Sequence, residues 1–342
     1  PFVCHSEPAQ HAGSSSVPIS SASWHQRGTM KLALFDEYVP GLVTGDRIVD
    51  LSAVLGKPVM EQPPTDRMTA VISEFNRWRD RIADAAGGQG KPLASVRLRA
   101  PQPRPGKMLF GMGNYRENIE AEIKPLSLFL KSPSSILDPG GTVRLPPHDA
   151  IIFHHEAELG FVIGRRGRDI SQADAMNHVF GYTGIIDVSA RGLGLGVGFI
   201  DKSQDTFCPM GPWIVTKDDI PDPHKLSIKL WENDELRQDY NTDDIEHPIP
   251  DIIAWASQVA TLEVGDVFAC GTNHQGLGPM QDGETCVLEI EQVGRLMVKV
   301  QDPLKRRWPF GIDHGMGKAI RQWKLTGAFP KRDEMFQTRR LS

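Results

Sequence analysis

The stretch HHEAELGFVIG, residues 154–164, carries the pattern around which the rest of the sequence is organised. Its second half is apolar and partly β-branched, which favours a strand. Residues two apart in a strand project from the same face, so Glu156 and Glu158 would stand side by side while Ala157 faces away. Carboxylates that close repel each other unless one is protonated or a cation lies between them. The pattern therefore fits either an edge strand with two solvated glutamates or a site for a hard divalent cation.

The composition is that of an ordinary globular protein. With 342 residues, 39% of them hydrophobic and 24% charged, the chain can form one large or two medium domains with a substantial core. Its net charge of -5 argues against a general nucleic-acid binder. No apolar run approaches the roughly 18 residues of a membrane span, so neither nucleic acid nor membrane is an expected partner. The cysteines are dispersed rather than paired, and a reducing cytoplasm is the expected location.

Composition divides the chain into four segments. Residues 1–29 lack hydrophobic periodicity and are expected to be a disordered leader or one foreign to the natural chain, with Met30 as the natural start; a weak targeting peptide is the alternative. Residues 30–100 are predicted to form a small N-terminal α/β domain, with strands over 31–35, 47–51 and 96–100. Its helix begins at Thr65 or Asp66 and is defined by a stripe at helical spacing: Met68, Val71, Ile72, Phe75, Trp78 and Ile82.

A proline-rich linker, residues 101–105, leads to a larger domain over residues 106–302. Short strand signals broken by Gly and Pro, together with helices predicted over 171–180 and 250–260, indicate an α+β, mostly β domain with mixed sheets rather than repeated βαβ units.

Residues 303–342 form a basic C-terminal extension with ten Lys or Arg against three acids. We expect it to pack on the acidic remainder of the chain or on a partner subunit, anchored by Trp308, Phe310 and Trp323.

Seven short motifs follow one another between Leu109 and Val300. They are Gly113-Asn114-Tyr115, Lys131-Ser132-Pro133-Ser134-Ser135, Glu156-Ala157-Glu158-Leu159, Asp187-Val188-Ser189-Ala190-Arg191, Lys202-Ser203-Gln204-Asp205-Thr206-Phe207, Gly211-Pro212-Trp213 and Gly271-Thr272. In this order they resemble the motifs of the fumarylacetoacetate hydrolase family, in its acylpyruvase or 2-oxo acid branch. An ordered set is far more specific than any one of its motifs alone.

The resemblance implies a mixed β-sandwich-like roll behind a small N-terminal domain, assembled as a homodimer. It implies a Mg²⁺ or Mn²⁺ site, with Ca²⁺ as a further candidate, whose ligands on the motif match are Glu156, Glu158 and Asp187. The implied substrate is a small 2-oxo acid or β-dicarbonyl that chelates the metal through carboxylate and keto oxygens. As a Lewis acid the metal would stabilise an enolate, which carbon–carbon hydrolysis, decarboxylation and isomerisation share.

Other matched positions are expected to act on the substrate. Lys131 and Lys202 match substrate-contacting positions, and for Lys202 we expect a catalytic role. Arg191 is suited to a second substrate carboxylate as a bidentate fork. Tyr115 and Thr272 complete the expected contacts, Thr272 through its hydroxyl or amide. The structural alternatives are surface ion pairs for Lys131 and Arg191 and a turn cap for Thr272.

The sequence departs from the family where many members carry a histidine that activates water. Asn118 occupies that position, and its amide cannot take up a proton at neutral pH. Glu117, Glu120 or Glu122 would have to replace it, and we expect all three to lie on a mobile lid helix. The structural alternative is that they are solvated helix acids. The further candidates for the base are histidines: His154, which would share the face of Glu156, together with His155 and His274.

A second departure is the glycine-rich loop Gly192–Gly198, which we expect to reshape the substrate pocket. Two hypotheses follow. In the first, the protein is a divalent-metal enzyme acting on a 2-oxo acid or β-dicarbonyl, and the missing histidine favours decarboxylation, isomerisation or hydration over hydrolysis. In the second, it is a non-catalytic descendant that binds a metal and a ligand.

Overall fold

The computed structural model describes residues 29–193, 198–335 and 340–341. The predicted leader therefore lies outside the described residues, apart from its last position, and so does most of the glycine-rich loop. The strands are β1 Lys31–Phe35, β2 Val39–Thr44, β3 Arg47–Asp50, β4 Lys91–Pro92, β5 Leu98–Arg99, β6 Met108–Gly111, β7 Leu128–Lys131, β8 Ile136–Leu137, β9 Thr142–Arg144, β10 Ile152–His154, β11 Ala157–Ile163, β12 Val179–Ile186, β13 Ser189–Arg191, β14 Cys208–Thr216, β15 Ser227–Glu232, β16 Glu235–Asn241, β17 Val267–Ala269, β18 Thr285–Ile290 and β19 Gly294–Gln301.

The helices are fewer and mostly short. They are α1 Ser52–Leu55, α2 Lys57–Met60, α3 Arg67–Ser73, α4 Phe75–Asp84, α5 Gln172–Ala175, α6 Phe199–Lys202, α7 Ile249–Val259, α8 His314–Thr326 and α9 Arg332–Met335. Single turns of 3₁₀ helix occupy Pro64–Asp66, Ala85–Gly87, Leu93–Ser95, Pro133–Ser135, Met176–His178, Lys217–Asp219 and Thr242–Asp244. None of the described helices has the length and apolar character needed to cross a bilayer.

Mixed sheets dominate the fold, as the sequence predicted. The larger sheet has the order β4-β3-β2-β1-β14-β12-β11-β17-β6-β7, with β5 added to β1 and β8 to β14. A second sheet has the order β16-β15-β18-β19-β9, and a small antiparallel pair joins β10 to β13. In β18 and β19 buried residues alternate with more exposed ones, which is the period-2 pattern of a sheet covered on one face.

The strand that carries Glu158 is an inner strand, so the edge-strand alternative is wrong. β11 pairs with β12 on one side and with β17 on the other. All seven of its residues are buried, as are all eight of β12. Glu156 and Glu158 are 4% and 1% exposed, which excludes solvated glutamates. Carboxylates in such a position require compensating charges or protons.

Two of the predicted helices differ from the structure, while the one over 250–260 is confirmed as α7. The N-terminal stripe is divided between α3 and α4 because Glu74 adopts a non-helical conformation, with φ -118° and ψ 26°. Neither Thr65 nor Asp66 caps α3 through its side chain. Ser171 does cap α5 by accepting from the Asp174 amide, but that helix ends at Ala175, where a 3₁₀ turn over Met176–His178 leads into β12.

The N-terminal strands are part of the larger sheet. Lys31 and Leu32 of β1 pair with Val215 and Ile214 of β14, so hydrogen bonding continues across the expected boundary between segments 30–100 and 106–302. The division into domains stays a prediction. Of the four cysteines, Cys4 lies outside the described residues, and the other three are buried free thiols.

The C-terminal extension docks on the rest of the chain. Trp308 is buried and donates from Nε1 to the Ile151 carbonyl at 2.6 Å. Trp323 stacks on Phe329 with ring centroids 5.4 Å apart. Phe310 is 60% exposed and contacts the chain through the Arg237 guanidinium, 4.5 Å from its ring centroid, so its role as an anchor stays a prediction. Helix α8 is held by Lys324, which is buried and donates to Glu246 at 2.6 Å.

Replacing Lys324 by methionine (K324M) is expected to lower the free energy of unfolding by about 3–5 kcal/mol, because the Glu246 carboxylate would stay buried without its counter-ion. Urea titration of the purified variant measures this loss. Lys318→Met on the same helix is the matched control, since Lys318 is exposed, and should shift stability by less than about 0.5 kcal/mol. Equal urea midpoints for the two variants would contradict a buried anchoring pair.

Candidate metal centre and active site

Three carboxylates lie close together at the start of β11 and the end of β12. Ala157 lies opposite Ile186 in the β11–β12 pair, and the Asp187 amide donates to the Glu156 carbonyl at 2.8 Å. This register places Asp187, just after β12, beside Glu156, just before β11. Glu158 follows on the same face. One oxygen from each of Glu156, Glu158 and Asp187 lies within 4.8 Å of the others. These three side chains, the carboxylate cluster, are the predicted metal ligands.

Two lysines neutralise part of the carboxylate cluster. Lys202, at the end of α6, donates to Glu156 Oε2 and to Asp187 Oδ2, both at 2.7 Å, and also to the Ser189 hydroxyl. Lys131, at the end of β7, donates to Asp187 Oδ1 at 2.6 Å and also to the Lys202 and Val188 carbonyls. Each ammonium group thus has acceptors for all three of its protons. The surface ion pair considered for Lys131 is wrong, because the pair is buried.

Arg191 completes the positive lining of the carboxylate cluster. Arg191 lies in β13. It donates from Nη2 to Glu156 Oε1, and it donates from Nε to His154 Nδ1 at 3.2 Å. His154 Nε2 lies 3.0 Å from Asp313 Oδ2. Both ring nitrogens of His154 therefore have partners, and burial lowers its pKa. The structure places His154 between two charged groups and gives it no ring nitrogen free for a substrate.

The two glutamates of the carboxylate cluster differ in their electrostatic environment. Burial alone would raise the pKa of Glu156, but the Lys202 ammonium and the Arg191 guanidinium hold it well below the usual value. Burial raises the pKa of Glu158 well above the usual value, and the carboxylates of Asp187 and Glu156 add to the effect. Glu158 accepts one hydrogen bond, from the Gly271 amide at 2.9 Å, and contacts no cationic side chain among the described residues.

These residues fit a divalent cation. The donors are carboxylate oxygens, which Mg²⁺ and Mn²⁺ accept, and one from each residue lies within 4.8 Å of the other two. Glu158 is buried and contacts no cationic side chain in the part of the chain that the structure describes, and a cation among the three carboxylates would supply its counter-ion. Glu156, Glu158 and Asp187 would be its ligands, with Lys202, Lys131 and Arg191 fixing two of these three carboxylates.

The loop that follows β17 lies beside the carboxylate cluster and carries further candidate substrate contacts. Thr272 is buried, and its hydroxyl accepts from Gln238 Nε2 at 2.8 Å, so its side chain is anchored to β16. Tyr240 and Tyr115 pack edge to face with ring centroids 5.0 Å apart. The Tyr115 hydroxyl is buried and has no hydrogen-bond partner in the described part of the chain. An orphaned donor at this depth fits a contact with a bound oxygen atom.

The expected lid helix is wrong. The described residues from 116 to 127 form an irregular loop, because Glu117 and Asn118 have φ values of 59° and 56°, which a right-handed helix excludes. Glu120 and Glu122 are exposed on this loop, and no hydrogen bond or ion pair joins them to the other described residues. The structure does not bring them to the carboxylate cluster, and their catalytic role stays a prediction.

Glu117 forms a buried pair with His274 instead. Its Oε1 lies 2.6 Å from His274 Nδ1 and accepts from the His274 amide at 3.0 Å, while Oε2 accepts from Gln275 Nε2 at 2.9 Å. Burial would raise the pKa of Glu117, but His274 lowers it below the usual value. His274 Nε2 has no hydrogen-bond partner among the residues described, and the ring also acts electrostatically on Glu156. The Glu117–His274 pair is therefore an oriented imidazole beside the carboxylate cluster.

Sequence reasoning considered Glu117 and His274 separately but did not join them. They are 157 positions apart, and neither belongs to a spaced motif. The available signals were Asn118 in place of the usual histidine and a histidine two residues after Thr272. Only the fold of both loops brings the two side chains together.

Comparison with known proteins decides the family. A family model described as the fumarylacetoacetate (FAA) hydrolase C-terminal matches residues 108–301. The chain belongs to the fumarylacetoacetate hydrolase family. Oxaloacetate tautomerase YisK of Bacillus subtilis is 33% identical over 296 residues, which cover 82% of this chain and 98% of the relative. Maleylpyruvate hydrolase of Aquipseudomonas alcaligenes is 31% identical over 289 residues, covering 80% and 99%.

A solved relative supports both fold and chemistry. The crystal structure of maleylpyruvate hydrolase from Sphingobium sp. SYK-6 in complex with manganese(II) ion and pyruvate is similar to this chain with a TM-score of 0.73 and 39% identity, covering 80% of this chain and 99% of that one. The predicted fold class and family are confirmed. Together these relatives make the chain an enzyme of this family, and the non-catalytic alternative loses its support.

Proposed function

We propose that this protein is a divalent-metal-dependent hydrolase that cleaves a carbon–carbon bond of an acylpyruvate bearing a second carboxylate. The observation that carries the proposal is the Glu117–His274 pair beside the carboxylate cluster. A missing base was the reason to favour decarboxylation or isomerisation over hydrolysis. An imidazole oriented by a carboxylate restores a side chain that can accept a proton, with its histidine on the loop after β17.

The side chains can be assigned to the parts of such a substrate. A Mg²⁺ or Mn²⁺ ion held by the carboxylate cluster would supply Lewis-acid stabilisation of the enolate that forms from the 2-oxo acid. Arg191 has an Nη1 group without a partner among the described residues, which suits the second carboxylate. The orphaned Tyr115 hydroxyl is a donor for a substrate oxygen.

The proton transfers then follow from the Glu117–His274 pair. His274 Nε2 takes a proton from water, and the resulting hydroxide adds to the acyl carbonyl carbon. The bond between that carbon and the adjacent CH₂ breaks, which leaves a carboxylic acid and the enolate of pyruvate. The proton on His274 passes to the enolate carbon and gives pyruvate. Glu117 accepts the Nδ1–H and stabilises the imidazolium between these two transfers.

A second candidate is keto–enol tautomerisation of oxaloacetate. It uses the same enolate and one proton carrier, which His274 provides, and the YisK relative is named for this reaction. Tautomerisation needs no water. The Glu117–His274 pair is therefore compatible with it but gives no reason to prefer it over hydrolysis. We further propose a homodimer in a reducing cytoplasm, and sedimentation velocity of the intact chain tests the dimer.

Assays of the purified protein with Mn²⁺ separate the two reactions. We expect cleavage of maleylpyruvate with a kcat/KM at least about tenfold above that for oxaloacetate tautomerisation, a difference of about 1.4 kcal/mol in transition-state stabilisation. EDTA should abolish the activity, and parallel assays with Mg²⁺ and Ca²⁺ rank the metals. Tautomerisation without cleavage would replace the first candidate by the second. Full turnover in EDTA would exclude a metal enzyme altogether.

A further inference from the structure

We propose that the C-terminal extension completes the active site, with Asp313 as a positioning residue that acts on Arg191 through His154. This inference rests on the proposed function for what the positioned groups do, while the contacts themselves are independent of the reaction. Asp313 lies twelve residues beyond the segment that the family model matches, which ends at residue 301. The contribution is therefore a property of this chain rather than of the matched domain.

The direction of the hydrogen bonds is fixed by chemistry. An arginine Nε–H can only donate, so His154 Nδ1 accepts, and the neutral ring carries its proton on Nε2. That Nε2–H then donates to Asp313 Oδ2 at 3.0 Å. Arg191 in turn donates to Glu156 of the carboxylate cluster. Three consecutive hydrogen bonds thus connect the extension to an expected metal ligand, and every group along them is at least nine-tenths buried.

Asp313 is itself held firmly. Its amide donates to the Leu277 carbonyl at 2.7 Å, and its Oδ1 accepts from the Gly315 amide at 3.1 Å as the cap of α8. Because the two carboxylate oxygens face different donors, an asparagine would place its NH₂ against one of them. The carboxylate is therefore required on both sides, at the cap and at His154.

The same extension also packs against both loops that carry the Glu117–His274 pair. Lys324 donates to the Gly113 carbonyl at 3.1 Å, and a Cβ at Gly113 would lie 2.8 Å from the Trp323 ring. On the other loop, Gln275, which donates to Glu117, packs closely against Gly317 of α8, where a Cβ would lie 3.0 Å from the Gln275 side chain. Helix α8 therefore supports the proposed base as well as the arginine.

The test compares Asp313→Ala and Asp313→Asn in the full-length chain. For Asp313→Ala we expect Mn²⁺ affinity, measured by calorimetry, to fall about tenfold and kcat/KM to fall about 10–100-fold, the range found for groups that orient metal ligands. Asp313→Asn should fall between Asp313→Ala and the wild type, since its amide oxygen still accepts one hydrogen bond. ¹⁵N chemical shifts should show that His154 loses its fixed Nε2–H form in Asp313→Ala.

A double-mutant cycle separates positioning from a general loss of structure. If Asp313 acts through His154, then His154→Ala with Asp313→Ala should lose no more than His154→Ala alone, whereas independent structural damage would add. Lys318→Ala, an exposed change on α8, should leave both quantities unchanged. Wild-type Mn²⁺ affinity and an unaltered His154 tautomer in Asp313→Ala, or additive losses, would overturn the proposal. Calorimetry and NMR give these results even where no oxo acid proves to be a substrate, so failure of the proposed function is recognised separately.

Discussion

Replacing Glu158 by glutamine (E158Q) is expected to weaken Mn²⁺ binding by about 100-fold or more, which corresponds to about 3 kcal/mol. Turnover should fall by roughly 10³-fold, because the metal contributes several kcal/mol to stabilising the charge of the enolate. The fold should survive, since Glu158 is the ligand that contacts no cationic side chain in the described structure, and a glutamine oxygen can still accept from the Gly271 amide. Calorimetric titration with Mn²⁺ and steady-state kinetics measure the two losses.

The choice of Glu158 over Asp187 is deliberate. An amide at Asp187 would leave Lys131 and Lys202 buried with too few acceptors, so that lost activity would be confounded with lost stability. Glu232→Gln is the matched control, because Glu232 of β15 is also buried with a pKa raised by burial, yet lies outside the carboxylate cluster. E158Q with wild-type Mn²⁺ affinity would show that the carboxylate cluster does not hold the metal.

Replacing His274 by glutamine (H274Q) is expected to lower kcat by about 10²–10⁴-fold, the usual contribution of a general base. Glutamine is similar in size but cannot carry a proton from water to the enolate carbon. Mn²⁺ affinity should change little, because His274 is not among the expected ligands. Glu117→Gln should lower kcat by a smaller factor, since the imidazole stays in place but loses the carboxylate that stabilises its charged form.

His178→Gln provides the control for H274Q. His178 is likewise buried and paired with a carboxylate, Asp174, with its Nε2 at 3.2 Å from Oδ2, but both groups lie outside the site. The His178→Gln variant should be less stable than the wild type, but its kcat should be unchanged. Equal kcat values for H274Q and the wild type would remove His274 as the base and return the question to the exposed Glu120 and Glu122.

The sequence predicted those site residues that lie close together along the chain or belong to the ordered motifs. Glu156 and Glu158 are two residues apart in one strand, and their common face follows from the pleat alone. The order of the motifs then added Asp187 and Lys202, and the structure places both with the glutamates. Lys131 and Arg191 were expected to meet the substrate, whereas in the structure they contact Asp187 and Glu156.

The contacts that sequence reasoning missed are made between loops. Glu117 was expected to lie on a lid helix, but the chain at Glu117 and Asn118 adopts positive φ values. Local propensity is a weak guide where tertiary contacts set the backbone. The Asp244 carboxylate accepts from the Glu117 amide at 2.8 Å, and His274 and Gln275 hold the Glu117 carboxylate.

The sequence by itself determined the family, the mixed-sheet fold and the identity of the carboxylate cluster, because all three depend on short-range patterns and on the order of motifs. The tertiary structure alone decided that β11 is an inner strand, that the His274 imidazole is paired with Glu117, and that Asp313 reaches His154 from the C-terminal extension. Each of these joins residues more than a hundred positions apart. Packing and hydrogen bonding between distant segments select such pairs, and no periodicity in the chain records them.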